Sequence, residues 1–144
     1  MKALLGRLRT SARIEPPFHC DYGSNIELGD GVFINSQCVV LDCAPVRIGS
    51  GTLFGPGVPI LTPLHPLDAT KRRSGVEWAA PVTIGESFWV GGGALILPGV
   101  TIGTRAVIGA GSVVTRDVPE GVLAVGNPGR VVRRLETLSD NIVD

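Results

Sequence analysis

The sequence predicts an all-β solenoid: a parallel β-helix of short strands, with a short helix at each end and one long extruded loop. Three observations predict it. A β-branched aliphatic residue recurs at every sixth position: Ile84, Val90, Ile96, Ile102, Ile108 and Val114. The residues two places earlier, Val82, Phe88, Ala94, Val100, Ala106 and Ser112, are mostly small. The residues one place later are Gly85, Gly91, Leu97, Gly103, Gly109 and Thr115, so glycine dominates there. Alternate residues of a strand face the same side, so each beat residue and its companion two places before form one inward face. Glycine after the beat is expected to let the backbone turn a corner. Three short strands per coil then make a triangular prism, and stacked coils pair their backbone N–H and C=O groups.

The elements follow in order. Residues 1–14 carry Leu4, Leu5 and Leu8 on one side of a short amphipathic helix. The solenoid spans 15–128, and its early coils place Leu28, Ile34 and Val40 on the beat. The rhythm slips by two residues at Ala44–Pro45, then resumes at Ile48, Phe54 and Ile60. A long polar loop over 62–80 interrupts it once more before Ile84. The segment "GRVVRRLETL", 129–138, is predicted to be a helix within a C-terminal cap and tail over 129–144. Such a cap would cover the open edge of the last coil.

The outward residues lie one place before each beat. Glu27, Arg47, Thr83 and Thr101 are expected on one wall of the prism, Phe33, Leu53, Trp89 and Val107 on a second, and Val39, Pro59, Leu95 and Val113 on the third. One wall is polar and two are apolar. Outward apolar walls need a cover. A cyclic homotrimer supplies it, two different walls of each subunit meeting two neighbours; the alternative cover is the chain's own tail.

Bulk properties narrow the class. The 144 residues suffice for one domain with a core. Thirteen basic and 13 acidic residues give a formal net charge of zero, against a nucleic-acid or anionic-membrane surface. No apolar run reaches membrane-span length, and "MKALLGRLRTSAR" is too short and charged for a signal peptide. Cys20, Cys38 and Cys43 are odd in number and lack metal-ligand spacing, which reads as reduced thiols in a cytoplasmic protein.

A solenoid needs no long polar loop, so the loop is where chemistry is sought. His65 precedes Pro66, which holds its backbone extended. A histidine held this way suits general-base work; the alternative is an ordinary surface histidine. His19 reads as structural. Trp89 points outward and needs a partner or ligand. Arg130, Arg133 and Arg134 could grip phosphates by their fork geometry, or form a solvated face. Asn35 follows a beat residue, as a turn asparagine or a ligand contact.

Four stretches, "PPFHCDYGSNIELGDGVFINSQCVVLD", "LTPLHPLD", "SGVEWAAPVTIGESFWVGGGALILPGVTIG" and "VIGAGSVVTRDVPEGVLAVGNPGRVVRRL", resemble the maltose and galactoside O-acetyltransferases of the hexapeptide-repeat acyltransferases. The resemblance covers residues 15–135. It implies a left-handed β-helix, a hand that periodicity alone does not give. It further implies homotrimers with sites between subunits, moving acetyl from acetyl-CoA to a sugar hydroxyl without a metal. By position, His65 matches the base of the family's "HP" loop, with Asn35 beside it in the catalytic set. Asp21 and Asn35 match acceptor contacts, and Glu77, in "SGVEWAAP", joins them. Gly92 matches the position whose N–H faces the thioester oxygen. Trp89, Ala110, Thr115, Arg116, Arg130 and Arg133 match positions along the coenzyme groove. Cys43 stands where galactoside enzymes carry an acceptor-binding aspartate, with Asp42 one residue away as the candidate replacement. "SGVEWAAP" leans towards the maltose type. Family members carry a helical segment of some tens of residues before "PPF"; here about 15 residues precede it, so a more open acceptor cleft is expected.

Rival readings remain. A γ-type carbonic anhydrase on this fold needs three histidines around zinc, and the chain has two. A non-catalytic scaffold would give His65, Trp89 and the arginines no common purpose. Serine, amino-sugar or xenobiotic acetyltransferases differ only in acceptor.

Overall fold

The structure, a computed structural model, describes residues 5–8 and 11–136. It is a parallel β-helix with three walls. The first wall stacks Arg7–Leu8, Ile26–Leu28, Val46–Ile48, Val82–Ile84 and Thr101–Ile102. The second stacks Arg13–Ile14, Phe33–Ile34, Leu53–Phe54, Trp89–Val90, Val107–Ile108 and Val122–Val125, with Arg130–Arg134 added at the end. The third stacks Phe18–Cys20, Cys38–Leu41, Pro59–Leu61, Leu95–Ile96 and Val113–Val114.

The six-residue beat is the reason these strands align. Ile48 pairs with Ile84 and Ile84 with Ile102, and Phe54 with Val90 and Val90 with Ile108. All of these beat residues are buried, and with their companions two places earlier they fill one continuous core. Phe54 and Phe88 meet edge to face, ring centroids 6.1 Å apart, the arrangement aromatic quadrupoles prefer. The outward rows also fall as expected: Glu27–Arg47–Thr83–Thr101, Phe33–Leu53–Trp89–Val107, and Val39 beside Pro59 with Leu95 beside Val113.

Glycine after the beat has a different reason from the one expected. Gly91 does not turn the corner. A Cβ there would stand 2.5 Å from the backbone nitrogen of Ala110 in the next coil, so glycine permits the coils to stack closely. The turn is made two residues later, at positions such as Gly93, whose φ is +69° and whose surroundings are open.

The corner between the third and first walls carries every irregularity of the early coils. Eight residues separate Cys20 from Leu28 and Val40 from Ile48, and twenty-four separate Ile60 from Ile84. Two stacked bulges and the extruded loop therefore share one edge of the prism. The loop leaves as a short antiparallel pair, Pro63–Leu64 against Trp78–Ala79, and encloses one helical turn, Ala69–Arg73, capped by Asp68.

Both terminal helices predicted from sequence are corrected. Within 1–14, the chain forms strand Arg7–Leu8 on the first wall and strand Arg13–Ile14 on the second. Leu5 is buried in the core, and Leu4 lies outside the described residues. Arg130–Arg134 is a strand that turns back antiparallel on Val122–Val125. Val131 and Val132 are β-branched and favour extended backbone, and the edge of Val122–Val125 offers unpaired N–H and C=O groups that a helix could not satisfy. Residues 137–144 lie outside the described part. No helix among the described residues is long and apolar enough to cross a membrane.

Candidate active site

The stacked bulges bring together residues far apart in sequence. Asp42 follows the strand Cys38–Leu41 and turns inward, where it is fully buried. Its Oδ1 accepts hydrogen bonds from the backbone N–H of Asp21 (3.1 Å) and Tyr22 (2.9 Å), and its Oδ2 from that of Asn25 (3.2 Å). The Asn25 side chain answers by donating to the Asp42 carbonyl at 2.7 Å. From the coil on the other side, the Thr62 hydroxyl donates to Leu41 O at 2.6 Å and accepts from the Ala44 N–H at 3.0 Å. Asp42 and Thr62 thus rivet three coils at this edge. The expectation that Asp42 contacts an acceptor is corrected: a carboxylate with 0 % exposure whose oxygens hold three backbone N–H groups is a structural clamp.

What faces solvent above the clamp is a shallow cleft of about 260 Å³ lined by Tyr22, Cys43, Pro63, Glu77, Trp78 and Ala79. Asp21 borders it, accepting a hydrogen bond from the Cys43 thiol at 3.4 Å. The thiol's pKa is raised. Lost solvation at the sulfur comes first, although the residue faces solvent, followed by the bond to Asp21 and the charges of Asp21, Glu77 and Asp42. Proton loss from the Cys43 thiol is therefore disfavoured relative to an ordinary cysteine. His65 stands at the mouth of the loop, with Nδ1 3.9 Å from Oε2 of Glu77 and both side chains more than half exposed. The structure thus brings Asp21, Cys43, His65 and Glu77 to one edge. Tyr22 and Trp78, both largely exposed, join that edge and were not anticipated. The eight-residue spacing from Cys20 to Leu28 was the signal for Tyr22.

The remaining candidates lie elsewhere on the chain. Trp89 is 55 % exposed at the middle of the second wall. Gly92 and Ala110 follow the beat residues Val90 and Ile108 at the corner between the second and third walls. Asn35 follows Ile34 at the same corner, and its Oδ1 accepts from the Ser36 N–H at 2.8 Å. Gly91 N–H donates to Ile108 O and Gly93 N–H to Pro56 O, whereas Gly92 N–H has no protein acceptor among the described residues. Arg133 pairs with Leu123 at the end of the second wall, and Arg130 with Val125. Thr115 and Arg116 are the exception: they are exposed after Val113–Val114 at the corner between the third and first walls, the same edge from which the loop leaves. His65 and Asn35, both expected in the catalytic set, sit on different corners of one chain. Among the described residues, no three His, Cys, Asp or Glu side chains converge as a metal-ligand group.

Comparison with known proteins places this geometry. The family described as "Bacterial transferase hexapeptide (six repeats)" matches residues 81–116. The chain is 46 % identical to a maltose O-acetyltransferase from Clostridium difficile, whose crystal structure superposes with a TM-score of 0.93 over 94 % of this chain and 73 % of that one. The chain belongs to the hexapeptide-repeat acetyltransferase family. A hexapeptide-repeat acetyltransferase from Vibrio cholerae, complexed with acetyl coenzyme A, is 41 % identical with a TM-score of 0.92, over 94 % of this chain and 74 % of that one. Nodulation protein L of Rhizobium leguminosarum is 60 % identical over 96 residues, 67 % of this chain and 50 % of that protein. The chain spans about half the length of the curated relatives it matches.

Proposed function

We propose that this chain is an acetyl-CoA-dependent O-acetyltransferase that acts on a hydroxyl of a maltose- or glucose-like sugar, as a homotrimer with sites between subunits. One observation carries the reading. The expected site residues form two half-sites on one chain, His65, Asp21 and Glu77 at one edge, Trp89, Gly92 and Asn35 on another wall and corner. The apolar third wall separates the two corners, and joining the apolar second wall of one copy to the apolar third wall of another would bring the halves face to face. The family membership and the relative complexed with acetyl-CoA support the donor; the maltose O-acetyltransferase relative supports the acceptor class.

The chemistry follows from these residues. His65 takes the proton of the acceptor hydroxyl as its oxygen bonds to the thioester carbon. Charge gathering on the carbonyl oxygen is met by a preorganised N–H, for which Gly92 has a hydrogen free. The carbon–sulfur bond then breaks, and the imidazolium returns its proton to the departing thiolate. Both substrates bind together, so no acyl-enzyme is needed. Trp89, Ala110, Thr115 and Arg116 line the donor's path, and Arg130 and Arg133 meet its phosphates. Asp21, Asn35 and Glu77 bind acceptor hydroxyls.

A thiol-release assay with acetyl-CoA against maltose, glucose, a thiogalactoside and serine tests this. Sugars should be acetylated in preference to serine, and His65→Ala should lower turnover by roughly 10²–10⁴. Thiol release with serine alone, or full activity in the variant, would overturn it.

A further inference from the structure

The extruded loop contains a helical turn that buries nothing. None of the residues in Ala69–Arg73 is buried, and Leu67 just before it is 98 % exposed. Hydrophobic packing therefore does not hold this segment, and a five-residue helix has no stability of its own. What holds it is polar. Asp68 caps the turn, its Oδ1 accepting the Lys71 N–H at 2.8 Å. The turn then aims one side chain backwards: Nη1 of Arg72 donates to Pro66 O at 2.8 Å and to Leu67 O at 3.1 Å. These are the first two carbonyls after that of His65. On its other side, His65 adjoins Leu64, which is paired with Trp78 in the hairpin. Pro66 is buried and restricts the His65 backbone to extended forms.

We infer that Arg72, presented by the Asp68-capped turn, is a positioning residue that fixes the backbone following His65 and thereby aims its imidazole. This rests on the proposed role of His65 as base. Lys71, Arg72 and Arg73 are three consecutive basic residues in the last turn, none of them buried. Arg72 is nonetheless a tether, converting one side of an otherwise unpacked loop into a rigid flank for the histidine. Without it, only the Leu64–Trp78 pairing and the buried Pro66 ring anchor the segment, and the imidazole samples more orientations. Displacements of about 1 Å in a reacting group can cost on the order of 10²-fold in rate.

The test uses the full-length protein and the fact that the chain has two histidines, His19 and His65, so two imidazole Hε1 resonances report separately. In Arg72→Ala the His65 resonance should shift and broaden while that of His19 stays, with the urea midpoint unchanged because the loop is outside the core. Turnover should fall roughly ten- to a hundredfold, with the acetyl-CoA KM unchanged. Arg72→Lys, which keeps donors on a long stem, should recover part of the loss. Asp68→Asn should match the wild type, since asparagine caps as well, and Asp68→Ala should resemble a milder Arg72→Ala. His65→Ala is measured alongside. If it is inactive, an unmoved His65 resonance or unchanged turnover in Arg72→Ala overturns the inference. If it is fully active, the base role itself has failed, and the resonance alone decides the tether.

Discussion

The Nδ1 atom of His65 stands 3.9 Å from Oε2 of Glu77, across the mouth of the loop, with 58 % and 64 % of the two side chains exposed. At this distance and exposure, attraction is weak and solvent-screened. Glu77 also lines the cleft beside Cys43 and Trp78, so under the proposed function its role is acceptor binding rather than folding. Glu77→Gln should change stability by no more than about 0.5 kcal/mol and raise the acceptor KM several-fold. A urea titration paired with acceptor kinetics checks both halves. A large stability loss would return Glu77 to the framework.

Asp42 should behave in the opposite way. It is buried and holds the N–H groups of Asp21, Tyr22 and Asn25. Hydrogen bonds to a charged group are worth about 1.5–3 kcal/mol each, and buried donors left unpaired add their own cost. Asp42→Ala should destabilise by about 3 kcal/mol or more, read as a lower urea midpoint with an unchanged slope. A loss below about 1 kcal/mol would show that the clamp is dispensable.

The Cys43 thiol gives a pH-dependent signature. Its pKa is raised above the ordinary thiol value by lost solvation, by its bond to Asp21, and by the charges of Asp21, Glu77 and Asp42. A raised pKa means less thiolate at any given pH, and the thiolate is the nucleophile. Alkylation at Cys43, followed by peptide mass spectrometry, should rise with pH later than for a free thiol. Asp21→Asn removes two of the causes, so the profile should move to lower pH. Movement to higher pH would contradict the assignment.

How much of this was legible beforehand differs by region. Ile84 through Val114 announce the solenoid because each coil repeats one steric problem, and any long-range pairing must respect a period of six. The outward row through Leu53, Trp89 and Val107 follows from strand alternation. The ends were misread because Leu4, Leu5 and Leu8, and Val131 and Val132 among arginines, fit an amphipathic helix locally. Tertiary pairing with Ile26–Leu28 and Val122–Val125 decided otherwise. Asp42 was misassigned for a similar reason. Position in a motif ranks it beside Cys43, whereas the direction of its side chain, inward against Asp21 and Tyr22, emerges only when two bulges stack. The role of Gly91 was hidden likewise, since its close neighbour Ala110 lies a full coil away.

The central claim is that the loop edge bearing His65 on one copy and the wall bearing Trp89 on another complete one site. Subunit mixing tests it most directly. His65→Ala damages one half-site, and the double variant Arg130→Ala/Arg133→Ala damages the other; each alone should be nearly inactive at low acetyl-CoA. Refolded together in equal amounts, random cyclic trimers would carry one intact site in every mixed assembly, which is about a quarter of wild-type activity overall. Recovery near that level is the result the account predicts. Activity no higher than the two separate variants combined would mean that the site lies within one chain, and would contradict it.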